Sequence, residues 1–219
     1  MKYAALTGWG KCLPPAVLTN DDLSTFLPTD DAWIVQRTGM KERRISHVCG
    51  LELSYVAAQR ALACAGIEAA DVDFIIYGSC SFDEHVPNTA SGLQARLGAN
   101  KAAAMDVNTA CTSFLYGMST ATAFIQSGVA KNVLVIGVEH ISKFMDWQNR
   151  NVSVLFGDGA AAAESERLGE MRRLCLHDTD RARIHDFRLR KQETRATCRL
   201  FGSGSSLRGS PDTSLAGFL

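Results

Sequence analysis

Apolar residues along this chain follow two different patterns: short continuous runs typical of buried strands, and the spacing typical of helices. The runs Phe74–Tyr77 and Val133–Ile136 are continuously apolar, as in sheet strands that are covered on both faces. Gly66, Gly98 and Gly128 follow three segments of helical spacing and mark their ends. The predicted strands are 3–8, 73–77, 102–107, 132–138 and 152–156, and the predicted helices are 51–65, 89–97 and 112–127. This alternation predicts an α/β fold with a mainly parallel sheet and helices on both faces.

One cysteine stands at the junction between a predicted strand and a predicted helix. Cys111 follows the apolar run 102–107 and precedes a helical pattern, with capping residues such as Asn108 and Thr112 at the junction. The unpaired N–H groups and positive dipole end of a helix start stabilise a thiolate. The local sequence leaves two interpretations open, an activated nucleophile and a buried cysteine that only packs.

Several segments in chain order resemble the β-ketoacyl-acyl-carrier-protein synthase III family of the thiolase-like condensing enzymes. Asp30–Ile45 matches that family's Trp-Ile-x-x-Arg-Thr-Gly-Ile-x-x-Arg signature. The other matching segments are Phe74–Ser79 with His85–Ala90, Asp106–Met118 around Cys111, and Arg150–Ala160. The resemblance implies the N-terminal half of a thiolase-like fold, in which Cys111 opens a buried central helix, and it implies that the C-terminal half is missing.

Composition changes where this resemblance stops. We predict a condensing-enzyme domain over residues 1–163 and an unmatched, irregular basic tail over 164–219. Residues 165 to 219 hold eleven Lys plus Arg and seven Asp plus Glu, a net charge of +4, whereas residues 1 to 164 hold twelve and sixteen, a net of −4. A basic arm for an acidic partner is one interpretation of the tail. The other is an aberrant C-terminus, such as a shifted reading frame would produce.

The composition of the whole chain excludes several classes of protein. A formal net charge of zero argues against a general nucleic-acid or membrane-surface protein. The seven cysteines form no Cys-x-x-Cys pair and no cysteine–histidine cluster of zinc spacing, so we expect no metal site and a reducing cytoplasm. The N-terminal sequence lacks an export signal, and no apolar stretch reaches the length of a membrane span. We therefore expect a cytoplasmic protein.

The resemblance implies a two-stage acyl transfer in fatty acid biosynthesis, with acyl-CoA as substrate and no permanently bound cofactor. Cys111 would take the acyl group as a thioester. Malonyl-acyl carrier protein would then lose carbon dioxide, and its enolate would attack the acyl group to give a 3-oxoacyl product. The family also implies a homodimer, if the complete protein is present.

The second stage lacks its usual residues in this sequence. In the family a histidine and an asparagine from the C-terminal half stabilise the enolate, and neither of their motifs occurs here. His85 and His140 are the local histidines that could approach the site, but a lone histidine more often satisfies loop or interface hydrogen bonds. We therefore expect a truncated and impaired enzyme.

Three residues match positions that contact coenzyme A in this family. Trp33 and Arg37 match residues that stack on the adenine, and Arg150 matches a further residue of the adenine site. Indole and guanidinium planes suit stacking and phosphate contact. Trp33 could instead anchor a loop and Arg37 a salt bridge. Val86 matches a bulkier position that lines the acyl pocket across the dimer interface, so the preferred chain length stays open.

Two further functions remain possible at this point. One is a non-catalytic thiolase-like half that binds CoA or pairs with another subunit. The other is a cysteine hydrolase, which is disfavoured because no partner base follows Cys111 in a recognisable motif. Gly157–Gly159 lacks the lysine and glycine spacing of a phosphate loop, so we predict a structural turn there.

Overall fold

A computed structural model describes residues 3–168 and contains one five-stranded sheet. The basic tail predicted from 164 lies outside the described residues from position 169 onward. The sheet has the order β1-β7-β6-β4-β5. Its strands are β1 (Tyr3–Cys12), β4 (Phe74–Gly78), β5 (Ala103–Val107), β6 (Asn132–His140) and β7 (Asp158–Leu168).

Four of the five strands run in one direction. β4 is parallel to β5 and to β6, whereas β7 is antiparallel to both of its neighbours, β6 and β1. β1 therefore points the same way as β4, β5 and β6. The predicted α/β class with a mainly parallel sheet is confirmed.

Helices cover both faces of this sheet. α3 (Gly50–Ala65) and α4 (Thr89–Leu97) lie on one face, and α5 (Ser113–Ser127) lies on the other. α3 approaches β1 very closely, because a Cβ atom added to Gly8 or Gly10 would lie 2.2 Å from a carbonyl oxygen of α3. Glycine is the residue that permits this contact between helix and strand.

A small layer packs beside the sheet and was not predicted from the sequence. It contains the two-stranded antiparallel sheet of β2 (Ala16–Thr19) and β3 (Glu42–Ile45), and three helices, α1 (Asn20–Ser24), α2 (Asp31–Thr38) and α6 (Arg150–Ser153). Its core includes Leu23, Leu27, Ile34 and Val154. Buried Arg43 donates hydrogen bonds to the carbonyl oxygens of Leu18 and Val154, which ties this layer together.

The prediction for the last strand was wrong. Residues 152–156 do not form a strand; α6 ends at Ser153 and a turn follows. The strand is β7, which begins at Asp158 and contains four successive alanines, Ala160–Ala163, that alone favour a helix. Pairing with both β1 and β6 overrides that preference. β7 also passes the predicted domain boundary at 163 and ends at Leu168.

The remaining predicted elements agree with the structure to within a few residues. α5 begins at Ser113 instead of Thr112, and β6 runs two residues further than predicted, to His140. None of the helices between Tyr3 and Leu168 combines the length and the apolar character that a membrane crossing requires.

Candidate active site

Cys111 lies in a tight turn that joins β5 to α5. The turn is a single 3₁₀ segment, Ala110–Thr112, and the Cys111 side chain is exposed. Ala110 has a φ of +52°, in the left-handed region that residues other than glycine rarely adopt. The hydroxyl of Ser113 accepts a hydrogen bond from the Thr109 N–H at 2.9 Å and donates one to the Ala110 carbonyl oxygen at 2.7 Å. These bonds hold the strained turn and place the thiol just before the start of α5.

The carboxyl ends of the neighbouring strands supply a second polar group beside this turn. β4 adjoins β5 there, since the Ser79 N–H donates to the Val107 carbonyl oxygen at 3.1 Å. The carboxylate of Glu139, near the end of β6, accepts hydrogen bonds from the Cys80 N–H at 3.0 Å and from the Ser81 hydroxyl at 2.6 Å. The Cys80 thiol donates to the same carboxylate at 3.3 Å.

This arrangement keeps the Cys80 thiol protonated. Burial, the hydrogen bond to Glu139 and the negative charge of that carboxylate raise the pKa of Cys80 to about 11. A smaller contribution to the raised pKa of Cys80 comes from Cys111. Cys80 is thus a neutral neighbour of Cys111 at neutral pH.

An open cavity of about 440 Å³ adjoins Cys80. Both polar and apolar side chains line it: Cys80, Ser81, Phe82, His85, Ile141 and Phe144. The backbone N–H of His140 donates to the Ser81 hydroxyl at 2.8 Å, and the buried Nδ1 of its ring has no hydrogen-bond partner within residues 3–168. In the same range, no group of three or more histidine, cysteine or acidic side chains is placed to hold a metal ion.

Trp33, Arg37 and Arg150 come together on the surface of the small layer. The guanidinium of Arg37 lies 4.1 Å from the centre of the Trp33 ring, and that of Arg150 lies 4.7 Å from it. The carboxylate of Asp30 caps α2 by accepting a hydrogen bond from the Trp33 N–H at 2.7 Å, and Arg150 donates to the Pro28 carbonyl oxygen at 2.6 Å. The fold thus brings together an aromatic plane and two planar cations from two segments that are distant in the sequence.

Asp158 links this layer to the edge of the sheet. Its carboxylate accepts hydrogen bonds from the Ser46 N–H at 2.7 Å, the Ser142 N–H at 3.0 Å and the Ser142 hydroxyl at 2.6 Å. Gly157 beside it has no room for a side chain, because a Cβ atom there would meet Arg43 at 2.9 Å. Asp158 therefore connects two loops at the start of β7. The turn predicted at Gly157–Gly159 was wrong, because Asp158 and Gly159 are the first two residues of that strand.

The sequence missed the polar residues that follow β4 and end β6 at this edge of the sheet. Cys80, Ser81 and Glu139 belong to no chemical motif in the sequence. One signal could have found them: β4, β5 and β6 were predicted as parallel strands, and the residues after such strands meet at one edge of the sheet. Val86 is exposed, as is His47, and His177 and His185 lie outside the described residues.

Comparison with known proteins identifies relatives of this arrangement. The family described as 3-oxoacyl-[acyl-carrier-protein (ACP)] synthase III matches residues 105–175. The chain is 56% identical over 168 residues to β-ketoacyl-[acyl-carrier-protein] synthase III 2 of Vibrio vulnificus, which is 77% of this chain and 46% of that protein. It is 47% identical over 161 residues to the synthase III of Geobacillus kaustophilus, covering 73% of this chain and 52% of that protein.

Solved structures give the same result. The 3-oxoacyl-[acyl-carrier-protein] synthase III of Aquifex aeolicus is 42% identical with a TM-score of 0.75, over 76% of this chain and 55% of that one. The enzyme of Pseudomonas aeruginosa is 38% identical with a TM-score of 0.73, over 78% and 53%. The chain thus spans about half the length of the relatives it matches. Over this span the chain is similar in sequence and in fold to β-ketoacyl-[acyl-carrier-protein] synthase III enzymes.

Proposed function

We propose that the described part of this chain carries out the acyl-accepting stage of a synthase III reaction in fatty acid biosynthesis, in the cytoplasm. The observation that carries the proposal is the position of Cys111, exposed in a constrained turn at the start of α5, in a chain similar to synthase III enzymes. The Cys111 thiolate attacks the carbonyl carbon of acyl-CoA, the carbon–sulfur bond to CoA breaks, and CoA leaves as a thiolate that takes up a proton. The product is an acyl thioester on Cys111.

In this proposal the nucleotide end of acyl-CoA binds at Trp33. An adenine ring stacks on the indole face, and Arg37 and Arg150 supply planar cations that suit both the base and the phosphates of CoA. No permanently bound cofactor takes part, because the acyl group itself is the covalent intermediate. Condensation with malonyl-acyl carrier protein, and a homodimer, belong to this proposal as properties of the complete enzyme.

Acylation of the purified chain tests the first stage. After incubation with radiolabelled acetyl-CoA, we expect label on one peptide that contains Cys111, and none in Cys111→Ala. Cys80→Ala serves as the matched control, because it removes a thiol at the same edge of the sheet and should retain the label. Label that persists in Cys111→Ala would refute the assignment of the nucleophile.

A non-catalytic half that only binds CoA is the second candidate. It is favoured by the fact that the chain spans about half of each relative it matches. In that case calorimetry would detect CoA binding that depends on Trp33, while no acyl group would reach Cys111. Addition of malonyl-acyl carrier protein after labelling then distinguishes an acyl-accepting half, whose label stays on the protein, from a complete condensing enzyme.

A further inference from the structure

Two free thiols stand at the same edge of the sheet, one after β4 and one in the turn before α5. Their side chains, those of Cys80 and Cys111, are exposed. The acyl transfer proposed above uses Cys111 alone, so it leaves Cys80 and its hydrogen bond to the Glu139 carboxylate without a role. A second thiol held beside a reactive one is a common feature of cysteines that respond to oxidation.

The start of α5 lies directly against the end of β4. A Cβ atom added to Gly78 would lie 3.0 Å from both the backbone and the side chain of Ser113, the first residue of the helix. A Cβ atom added to Gly117, one turn further along α5, would lie 3.3 Å from the side chain of Ile76. Later residues of the helix thus face earlier residues of the strand, so α5 runs antiparallel to β4.

This arrangement brings Cys80 and Cys111 towards each other. Each is two residues from the contact between Gly78 and Ser113, on the side of the carboxyl ends of the strands. A backbone hydrogen bond at 3.1 Å keeps the chain after β4 alongside the end of β5. The contribution of Cys111 to the raised pKa of Cys80 agrees with this proximity.

We propose that Cys80 and Cys111 form a reversible disulfide in the presence of hydrogen peroxide, which makes this edge of the sheet a site of oxidative regulation. The disulfide occupies the sulfur of Cys111, so no acyl group can be transferred to it. This consequence rests on the proposed function, whereas the formation of the bond requires no acyl-CoA. In a reducing compartment, disulfides are usually transient and catalytic or regulatory.

The first step oxidises Cys111. Its thiolate attacks one oxygen of hydrogen peroxide, the O–O bond breaks, and hydroxide leaves and takes up a proton to give water. Cys111 becomes a sulfenic acid: its sulfur loses two electrons and the peroxide gains them. Cys111 is oxidised in preference to Cys80 because the thiolate is the reactive form and Glu139 keeps the Cys80 thiol protonated. The open cavity beside Cys80 admits peroxide to this edge of the sheet.

The second step joins the two sulfur atoms. The Cys80 sulfur attacks the sulfur of the Cys111 sulfenic acid, an S–S bond forms, and the S–O bond breaks. The Glu139 carboxylate, which accepts the hydrogen bond of the Cys80 thiol at 3.3 Å, takes its proton and passes it to the hydroxide that leaves as water. Over both steps, two thiols and one hydrogen peroxide give one disulfide and two molecules of water. A thiol reductant reverses the reaction by exchange.

Mapping of the linked peptide tests the proposal. The full chain is treated with a small excess of hydrogen peroxide, free thiols are blocked with N-ethylmaleimide, and the unreduced protein is digested with trypsin and chymotrypsin. Chymotrypsin separates Cys80 from Cys64, because Phe74 and Tyr77 lie between them. We expect a linked peptide that joins Cys80 to Cys111. We also expect acylation by acetyl-CoA to be lost on treatment and restored by dithiothreitol.

Two variants complete the test. Cys80→Ala should give no linked peptide; peroxide should instead carry Cys111 to the sulfinic acid, so acylation should not return after dithiothreitol. Cys49→Ala is the matched control, since it removes an exposed thiol from the residue before α3 and should form the linked peptide as wild type does. Circular dichroism of each chain checks that the helices are retained.

Three results would overturn the proposal. They are a folded, peroxide-treated chain without the linked peptide, a linked peptide that is equally abundant when the chain is oxidised in urea, and acylation that dithiothreitol restores as fully in Cys80→Ala as in wild type. The untreated, reduced chain tests the proposed function separately. If that chain takes up no acyl group, the acyl transfer and its block are refuted, whereas the linked peptide would still support the disulfide.

Discussion

Arg150 places its guanidinium 4.7 Å from the centre of the Trp33 ring, so two residues from distant segments share one aromatic plane. The guanidinium of Arg37 lies 4.1 Å from the centre of the same ring, so two cations contact one aromatic plane. A planar anionic ligand can stack on the indole and pair with these cations. We predict that Arg150→Ala and Trp33→Ala each weaken CoA binding by about tenfold, as measured by calorimetry.

A second stacked pair on the same molecule provides the control. Arg96 lies 4.3 Å from the centre of the Tyr55 ring and also pairs with Glu52. Arg96→Ala removes a guanidinium of the same kind away from Trp33, so it should leave CoA affinity unchanged. If Arg96→Ala weakened binding as much as Arg150→Ala, the effect would be one of net charge, and the stacking site would be refuted.

Glu139 controls the reactivity of Cys80. Burial, the hydrogen bond to the Glu139 carboxylate and its charge raise the pKa of the thiol to about 11, so alkylation by iodoacetamide at pH 8 should be slow. Glu139→Gln removes the charge and should lower this pKa, which speeds alkylation of Cys80 by about tenfold for each unit of change. Peptide mapping measures the rate, with the exposed Cys49 as the internal control. An unchanged rate at Cys80 would contradict this role of Glu139.

Asp158 should be important for stability. Replacing it by alanine leaves the backbone N–H groups of Ser46 and Ser142 without their acceptor in a buried region. At about 1–3 kcal/mol for each buried unpaired group, Asp158→Ala should lower the free energy of unfolding by about 3 kcal/mol. Urea denaturation followed by circular dichroism measures the loss. Asp146→Ala, at an exposed position, should change the free energy of unfolding little. An equal loss in both variants would contradict this role of Asp158.

Glu164 makes stability depend on pH. Burial raises its pKa to about 7, although a hydrogen bond from the Thr7 hydroxyl opposes the shift, so the folded chain binds a proton that the unfolded chain has already released. Stability is therefore highest below about pH 5 for this group and falls by about 3 kcal/mol as pH rises through 7.

Glu164→Gln should remove that slope, because a neutral amide cannot ionise. Urea denaturation at a series of pH values measures the slope for both chains. Glu166→Gln provides a comparison, since Glu166 is two residues further along β7 and pairs with Lys131 at 3.5 Å. Because the charge of Glu166 adds to the raised pKa of Glu164, this variant should reduce the slope without abolishing it. A slope that survives in Glu164→Gln would assign the pH dependence to other groups.

The sequence predicted best those strands whose residues are all apolar and are buried on both faces of the sheet. Phe74–Tyr77 and Val133–Ile136 are continuously apolar because helices cover both of their faces, and runs of this length are typical of strands. The same reasoning failed for β7. Its alanines favour a helix locally, and only pairing with β1 and β6, neither of them near it in sequence, makes it a strand.

Only part of the candidate site was predictable from the sequence. Cys111 stands out because a strand, polar capping residues and a helix follow each other along the chain. Glu139 and Cys80 do not stand out, because their contact depends on β6 and β4 lying side by side, which no local pattern records. Trp33 and Arg150 were found through family resemblance, and their stacking follows from the fold of the small layer.

The position of β1 has a consequence for the order of events during synthesis. β1 is the first strand to leave the ribosome, yet its partner in the sheet is β7, the last strand of the described region. Until residues 158–168 have been made, the β1 edge has no strand to pair with, and Leu6 and Trp9 stay exposed to water. Such distant pairing slows folding and prolongs exposure of an open strand edge. The edge of β1 therefore stays open until residues 158–168 have been made and have left the ribosome.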